Sequence, residues 1–219
     1  MIDYLFNFLR YNIPSKKYLF NIKVDLSKIN FFIEKKNIVN RKNFLWYGNW
    51  DNHKISIDEY SEKNINYSSV FEIFKFNINY KESKEYKKKL SELSTSGITT
   101  RGQKTVEELD NYFESLIKLK SSLEKDGYKS QKQLNSLNHN DEIGVVIGRN
   151  GEIIKLEDKF GGTHRFALCQ ILNIKDVFIN IKAIHSNFVD ITKIQELISL
   201  KNNSFFTDFL KEKINKSLF

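Results

Sequence analysis

EIGVVIGRNGEIIKLEDKFGGTHRFALCQILNIKDVFINIKAIH, residues 142–185, is the stretch that decides the fold. Ile143-Gly144-Val145-Val146-Ile147 is an apolar run of strand length, and Asn150-Gly151 is a two-residue hairpin signal that returns the chain along Ile153–Leu156. Gly161-Gly162 then marks a sharp turn, and a short helix is predicted from Arg165 to Leu172. A last strand, Val177–Ile184, alternates Val177, Ile179, Ile181 and Ala183 against Asn180 and Lys182. The expected order is strand, hairpin strand, glycine loop, helix, strand.

Five of the nine glycines fall between Gly144 and Gly162, and the loop Gly161-Gly162-Thr163-His164-Arg165 concentrates the chemistry. Glycines without Cβ atoms let a phosphate approach the backbone, and the following helix presents unpaired N–H groups and the positive end of its dipole. Thr163 adds a hydroxyl, while His164 and Arg165 add donors for phosphate oxygens. The competing reading is a structural turn with an incidental His-Arg pair. Just before the loop, Glu157 and Asp158 are candidates to hold Mg²⁺ against the phosphates, or else they are surface residues.

Outward from this core, 19–25 (LFNIKVD) reads as a strand with a helical turn at Leu26–Ile29. Residues 31–80 carry no clean period but hold both tryptophans in Trp46-Tyr47-Gly48-Asn49-Trp50-Asp51. Trp46, Trp50 and Asp51 form either a stacking wall for a base or sugar, with Asp51 binding a hydroxyl or a metal, or the anchor of a small core. Residues 81–93 predict a charged surface helix, and 94–103 a loop rich in hydroxyl residues and glycine. Thr105 and Glu108 form a capping box opening a helix that carries Leu109, Tyr112, Phe113, Leu116 and Leu119 and stops near Asp126-Gly127. Residues 186–219 predict a helical tail. His185, at the end of the last strand, either packs in the core or points into the site; Asp25 is a further acidic candidate, while Arg149 reads as a solvated turn residue.

The formal charge of +8 invites a nucleic-acid partner, yet only five of the 35 basic residues are Arg, the residue favoured for base and phosphate recognition. The composition is that of an AT-rich coding sequence, so a solvated Lys surface is the favoured reading and nucleic acid is not. With one cysteine, Cys169, neither an internal disulfide nor a thiolate cluster can form. No apolar stretch reaches the roughly 20 residues of a membrane helix, and no signal peptide is recognisable at the N-terminus, so a cytoplasmic protein is expected.

At residues 142–185 the sequence resembles the core of the ParB/sulfiredoxin superfamily, whose members carry such a segment at the start of a helix. FGGTHR, residues 160–165, is similar to the FGGCHR segment of sulfiredoxins. The order of WYGNWD, GYKSQ, IGRNGE and GTHR is similar to a ParB-like group of unassigned role whose glycine segment reads DGRHR. The resemblance implies an α+β fold: a small mixed sheet with packed helices, with one domain spanning 1–219, its core at about 19–30 and 105–185 and an aromatic-rich insertion at 31–104. It also implies three activities: ATP-dependent sulfinic-acid repair, free-serine kinase activity and CTP hydrolysis by DNA clamps. Thr163 stands where sulfiredoxins have their redox cysteine, which removes the first, and 186–219 is short for the DNA-binding domain of a clamp. What remains is a kinase that uses ATP or ADP with Mg²⁺ (CTP being a third option) and acts on a small hydroxylated acceptor such as a sugar, glycan or amino acid. Asp51, His164 and His185 are the expected catalytic residues, and Gly161 to Arg165 bind the nucleotide. A ParB-like DNA-binding or nuclease-type module is the alternative, and a homodimer is compatible with either.

Overall fold

The computed structural model describes residues 20–34, 37, 45–134, 142–157, 161–188 and 212. The chain divides into two compact units, one of 1–57, 130–162 and 176–219, the other of 58–129 and 163–175. The fold is α+β.

The first unit is a seven-stranded mixed sheet of β1 (Phe20–Asp25), β2 (Ile29–Ile33), β3 (Leu45–Trp46), β4 (Ile55–Ser56), β5 (Ile143–Ile147), β6 (Ile153–Leu156) and β7 (Asp176–His185), in the order β1-β7-β5-β6-β2-β4, with β3 also on β7. Every residue of β5 and β6 is buried, as expected of central strands read from continuous apolar runs. β7 runs parallel to β5 and antiparallel to β1, so it joins the edge strand β1 to the centre of the sheet. The predicted strand at 19–25 and the turn after it are found, Asp25 capping that turn with its carboxylate on the N–H of Ser27.

Two details of this core depart from expectation. Val145 pairs with Ile181 but Val146 with Ala183, so Lys182 is an extra residue, a bulge in β7. Since Val145 and Val146 point to opposite faces, so do Ile181 and Ala183. The uniform alternation read for this strand therefore breaks at Lys182, and Ala183 packs with Trp46, Trp50, Val146 and Ile154. In the hairpin, Ile147 pairs with Ile153, the N–H of Gly148 meets the carbonyl of Glu152 at 2.9 Å, and the loop has three residues, not two. Gly151, at φ +88°, takes the left-handed position such a loop requires.

The second unit is helical: α1 (Ile57–Lys63), α2 (Ile65–Phe74), α3 (Lys84–Ser96), α4 (Val106–Asp126) and α5 (Thr163–Ile171). The cap at α4 forms as read on one side only: the hydroxyl of Thr105 accepts from the N–H of Glu108 at 3.1 Å, while the Glu108 carboxylate accepts at 2.6 Å from the N–H of Lys104, one residue before the cap residue. Its apolar face, Leu109, Phe113 and Leu116, closes on Ile73 and Tyr86. The charged helix expected at 81–93 begins only after Ser83 caps it, and it ends at Gly97, whose φ of +68° supplies the left-handed cap. It is not merely a surface helix, because Glu85, Tyr86 and Lys89 are buried. The region without a clean period, 31–80, supplies strands to one unit and helices to the other, which is why no single periodicity described it. The predicted helical tail falls, from 189 on, outside the described residues apart from residue 212.

Candidate functional site

In the helical unit, α5 opens with Thr163, His164 and Arg165, and no acidic side chain lies in its first turn. His164 turns inward and is 12 % exposed at its side chain, beside Glu85, which is 1 % exposed. The His164 Nε2 lies 3.2 Å from the Tyr112 hydroxyl and 3.4 Å from Oε2 of Glu85, and the Tyr112 hydroxyl donates to Oε1 of Glu85 at 2.9 Å. For the neutral form of the ring these contacts favour one tautomer. Glu85 accepts from both neighbours, so Nε2 carries the ring proton and Nδ1 is left with a lone pair. Among the described residues Nδ1 has no hydrogen-bond partner. Glu85 is itself anchored, its backbone N–H donating to the Ser69 hydroxyl at 2.9 Å.

Lys89 completes this cluster one helical turn after Glu85. Its Nζ lies 3.8 Å from Oε1 of Glu85, with only 3 % of the side chain exposed, and 5.8 Å from the centre of the Tyr112 ring. Burial pushes the Lys89 ammonium below the usual lysine range, against the opposing influence of Glu85. Burial, reinforced by the Glu85 charge, pushes the Tyr112 phenol well above its ordinary value, so it stays protonated. An ordered carboxylate–imidazole pair with a protonated phenol can take a proton from a hydroxyl at Nδ1. Arg165 reaches over the ring of Tyr128, its Cζ 6.0 Å from the centroid. Cys169, further along α5, is fully buried, and burial pushes its thiol up to about 12, an inert core group.

The other expected catalytic residues, Asp51 and His185, come together in the sheet unit. Asp51 is 2 % exposed and accepts from Arg149 through the backbone N–H at 2.9 Å, through Nε at 2.9 Å and through Nη2 at 2.6 Å. Arg149 is therefore no solvated turn residue; its guanidinium also reaches the Gly48 carbonyl at 3.3 Å. Burial alone would raise the Asp51 carboxyl, but the Arg149 hydrogen bonds, followed by the electrostatic influence of His185 and of Arg149, hold it down at about 2. His185 lies within 3.7 Å of Asp51, yet its Nδ1 accepts from the N–H of Asn187 at 3.0 Å and its Nε2 donates to the Gly48 carbonyl at 2.8 Å. Both ring nitrogens are thus engaged by backbone. Trp50 lies against that ring at 5.6 Å and meets Trp46 edge-on at 5.2 Å, each tryptophan 5 % exposed. Of the two readings of WYGNWD, the buried anchor describes this geometry.

The glycine pair has a structural duty of its own in the sheet unit. The N–H of Gly144 donates to the Gly161 carbonyl at 3.1 Å, and a Cβ on Gly144 would sit 3.4 Å from the Cα of Gly161. Gly162 has φ +64°, and a Cβ there would lie 3.3 Å from the Glu142 carbonyl oxygen and the Ile143 Cα. The close approach that glycine permits is made here by β5. Glu142, fully buried, accepts from the N–H of Gln131 at 2.6 Å. Glu157 donates its backbone N–H to the Ile33 carbonyl at 3.0 Å, and Asp158 lies outside the described residues. Among the described residues no group of three or more His, Cys, Asp or Glu side chains is arranged to hold a metal, and no helix is long and apolar enough to cross a membrane.

Sequence reasoning placed His164 at the site but missed Glu85, Lys89 and Tyr112. The signal available was the i, i+4 pairing of Glu85 with Lys89 inside KESKEYKKKL, which reads as a solvated ion pair until the helix is seen to bury that edge. Compared with protein-family models, with curated proteins and with solved structures, the chain matches none.

Proposed function

We propose that this protein is a nucleotide-dependent phosphotransferase of ParB/sulfiredoxin-like ancestry acting on a small hydroxyl-bearing substrate, with His164 as its general base. The observation that carries the reading is the Glu85–His164–Tyr112 triangle: it holds one imidazole nitrogen on a buried carboxylate and leaves the other with a lone pair at the first turn of α5. That turn, with Thr163 and Arg165 and no acidic residue of its own, suits phosphate oxygens. ATP or ADP, entering with Mg²⁺ on its own phosphates, is the donor; CTP is the third nucleotide to test.

In the reaction the acceptor hydroxyl oxygen attacks the terminal phosphorus as its proton passes to Nδ1 of His164. The bond from that phosphorus to the bridging oxygen breaks, and the shortened nucleotide leaves with the bond's electron pair. Glu85 stabilises the imidazolium that forms, and Tyr112 keeps the carboxylate oriented. The other two expected catalytic residues, Asp51 and His185, are given no step, since their polar atoms are engaged by Arg149 and by backbone.

The experiment is a thermal-shift and calorimetric screen with ATP, ADP, CTP and GTP, each with Mg²⁺, followed by phosphotransfer assays on small alcohols, sugars and hydroxy amino acids. A ligand at 100 times its Kd stabilises by about 2.7 kcal/mol, readily seen as a rise in Tm. A chain that ignores all four nucleotides yet binds DNA in a salt-dependent way would belong to the alternative, a DNA-binding module.

A further inference from the structure

We infer that Lys89 is a positioning residue of the candidate site: it offsets the charge of Glu85 and so keeps His164 neutral, the form whose Nδ1 accepts a proton. The inference rests on the reading of His164 as a general base and goes beyond it, because that reading gives Lys89 no part. A carboxylate this close to an imidazole favours the imidazolium, since an opposite charge within about 4–6 Å stabilises the charged form. Glu85 lies 3.4 Å from the His164 ring and is 1 % exposed, so little water screens its charge. Left alone, it would keep the ring protonated and unable to act as a base.

The two oxygens of Glu85 divide the neighbours between them. Oε2 faces Nε2 of His164, while Oε1 takes the Tyr112 hydroxyl at 2.9 Å and lies 3.8 Å from Nζ of Lys89. The ammonium therefore pairs with the oxygen that the imidazole does not use. It is held there by the four-residue spacing on α3, by the Tyr112 ring 5.8 Å away, and by the Ser69 hydroxyl that anchors the Glu85 backbone. At 3 % exposure the Lys89 charge is as little screened as that of Glu85. Other charges reach Lys89 from further off: Glu92 and Lys88 on α3, and Arg101 in the loop that follows. The Glu92 carboxylate is occupied by the N–H and hydroxyl of Thr100, at 2.8 Å and 3.0 Å. Among the described residues Glu85 is the carboxylate within 4 Å of Lys89. Tyr112, which stays protonated, brings no charge of its own. One buried carboxylate thus serves two groups that can be cations, and an ammonium already beside it weakens its hold on a second proton.

The test is an NMR titration of the histidine rings in the full chain, which has four, with the His164 signals assigned by their loss in His164→Gln. Lys89→Met should raise the proton affinity of His164 roughly tenfold, a shift of about one pH unit in its midpoint. Lys89→Arg, which keeps the charge, should restore the parent midpoint. Lys120→Met, about two turns along α4 from Tyr112 and paired with Glu124, should leave it unchanged. Glu85→Gln should move His164 the other way, because the ammonium then faces the ring without a carboxylate between them. Should Lys89→Met not fold, Glu85→Gln and Lys89→Arg carry the test. A midpoint that Lys89→Met leaves in place, a rise that Lys89→Arg shows equally, or a Glu85→Gln chain that titrates as the parent does overturns the inference. The titration uses neither nucleotide nor acceptor. A His164 that responds to Lys89 in a chain without phosphotransfer would leave this inference standing and remove the kinase reading.

Discussion

The carboxylate of Asp51 holds both ends of Arg149, accepting from its backbone N–H at 2.9 Å and from its guanidinium at 2.6 Å and 2.9 Å. This one side chain pins the β5–β6 turn to the segment that contains both tryptophans. The pair is asymmetric, with Arg149 28 % and Asp51 2 % exposed at the side chain. Removing Arg149 strands a buried charge, whereas removing Asp51 leaves an arginine able to reach water. Arg149→Ala should therefore destabilise by about 3–5 kcal/mol, the usual cost of breaking a buried pair, and by more than Asp51→Ala. Denaturant midpoints of the two variants and of the double variant decide it; the double variant should be less destabilised than the sum.

The same pair sets an acid limit. The Asp51 carboxyl titrates at about 2 in the folded chain against an ordinary value of 3.8. A folded value below the unfolded one contributes stability that is fully present above the unfolded value and is lost as pH falls through the folded one. Stability should thus decline between about pH 4 and pH 2, and Asp51→Asn, already weaker at neutral pH, should show a shallower decline across that window. Urea unfolding at a series of pH values measures the slope; parallel curves for parent and variant would exclude Asp51 as its source.

Gly162→Ala should destabilise more than Gly97→Ala. Both glycines have positive φ, +64° and +68°, but a Cβ on Gly97 meets nothing within 4 Å whereas one on Gly162 meets backbone at 3.3 Å. The backbone conformation alone costs about 1–2 kcal/mol in each. The steric contact adds to that only at Gly162, where relief requires β5 to shift. Thermal denaturation of the two variants side by side gives the difference.

His164→Gln and Glu85→Gln should each lower phosphotransfer by about 10²–10⁴-fold, the range for loss of a positioned general base. Nucleotide affinity should change little in Glu85→Gln. Arg165→Ala should instead weaken nucleotide binding, by about 1.5–3 kcal/mol, as expected for a hydrogen bond to a charged group. Steady-state kinetics and calorimetry on the three variants separate the roles; a Glu85→Gln protein with full activity would show that the triangle is only structural.

The parts of the fold that were legible in the sequence are those in which one residue pattern has one structural cause. Ile143–Ile147 is apolar because every residue of β5 is buried, and Thr105 opens α4 because its hydroxyl accepts from the N–H of Glu108 in the first turn. The bulge at Lys182 was not legible, since a single inserted residue leaves the hydrophobic string looking regular while exchanging the faces on either side of it. His164 could be singled out from its place beside two glycines. Glu85, Lys89 and Tyr112 could not, because their polarity matches a solvated helix and only tertiary packing reveals which edge is covered. Arg149 was misjudged for the complementary reason: its partner Asp51 is distant in sequence, and nothing local announces a long-range ion pair.

The position of β7 between β1 and β5 bears on how the protein is made. Phe20 pairs with Ile181 and Ile143 with Ile179, so β1 and β5 both wait for a strand that leaves the ribosome after them. Local helices such as α4 can form during synthesis, but the sheet unit cannot close until residues 176–185 have emerged. Until then β1 and β5 are unpaired on the sides that β7 will cover, the condition in which strands associate with other chains. Crowded or rapid expression should therefore favour aggregates, and nascent chains halted before Asp176 should recruit chaperones that chains carried past His185 no longer need.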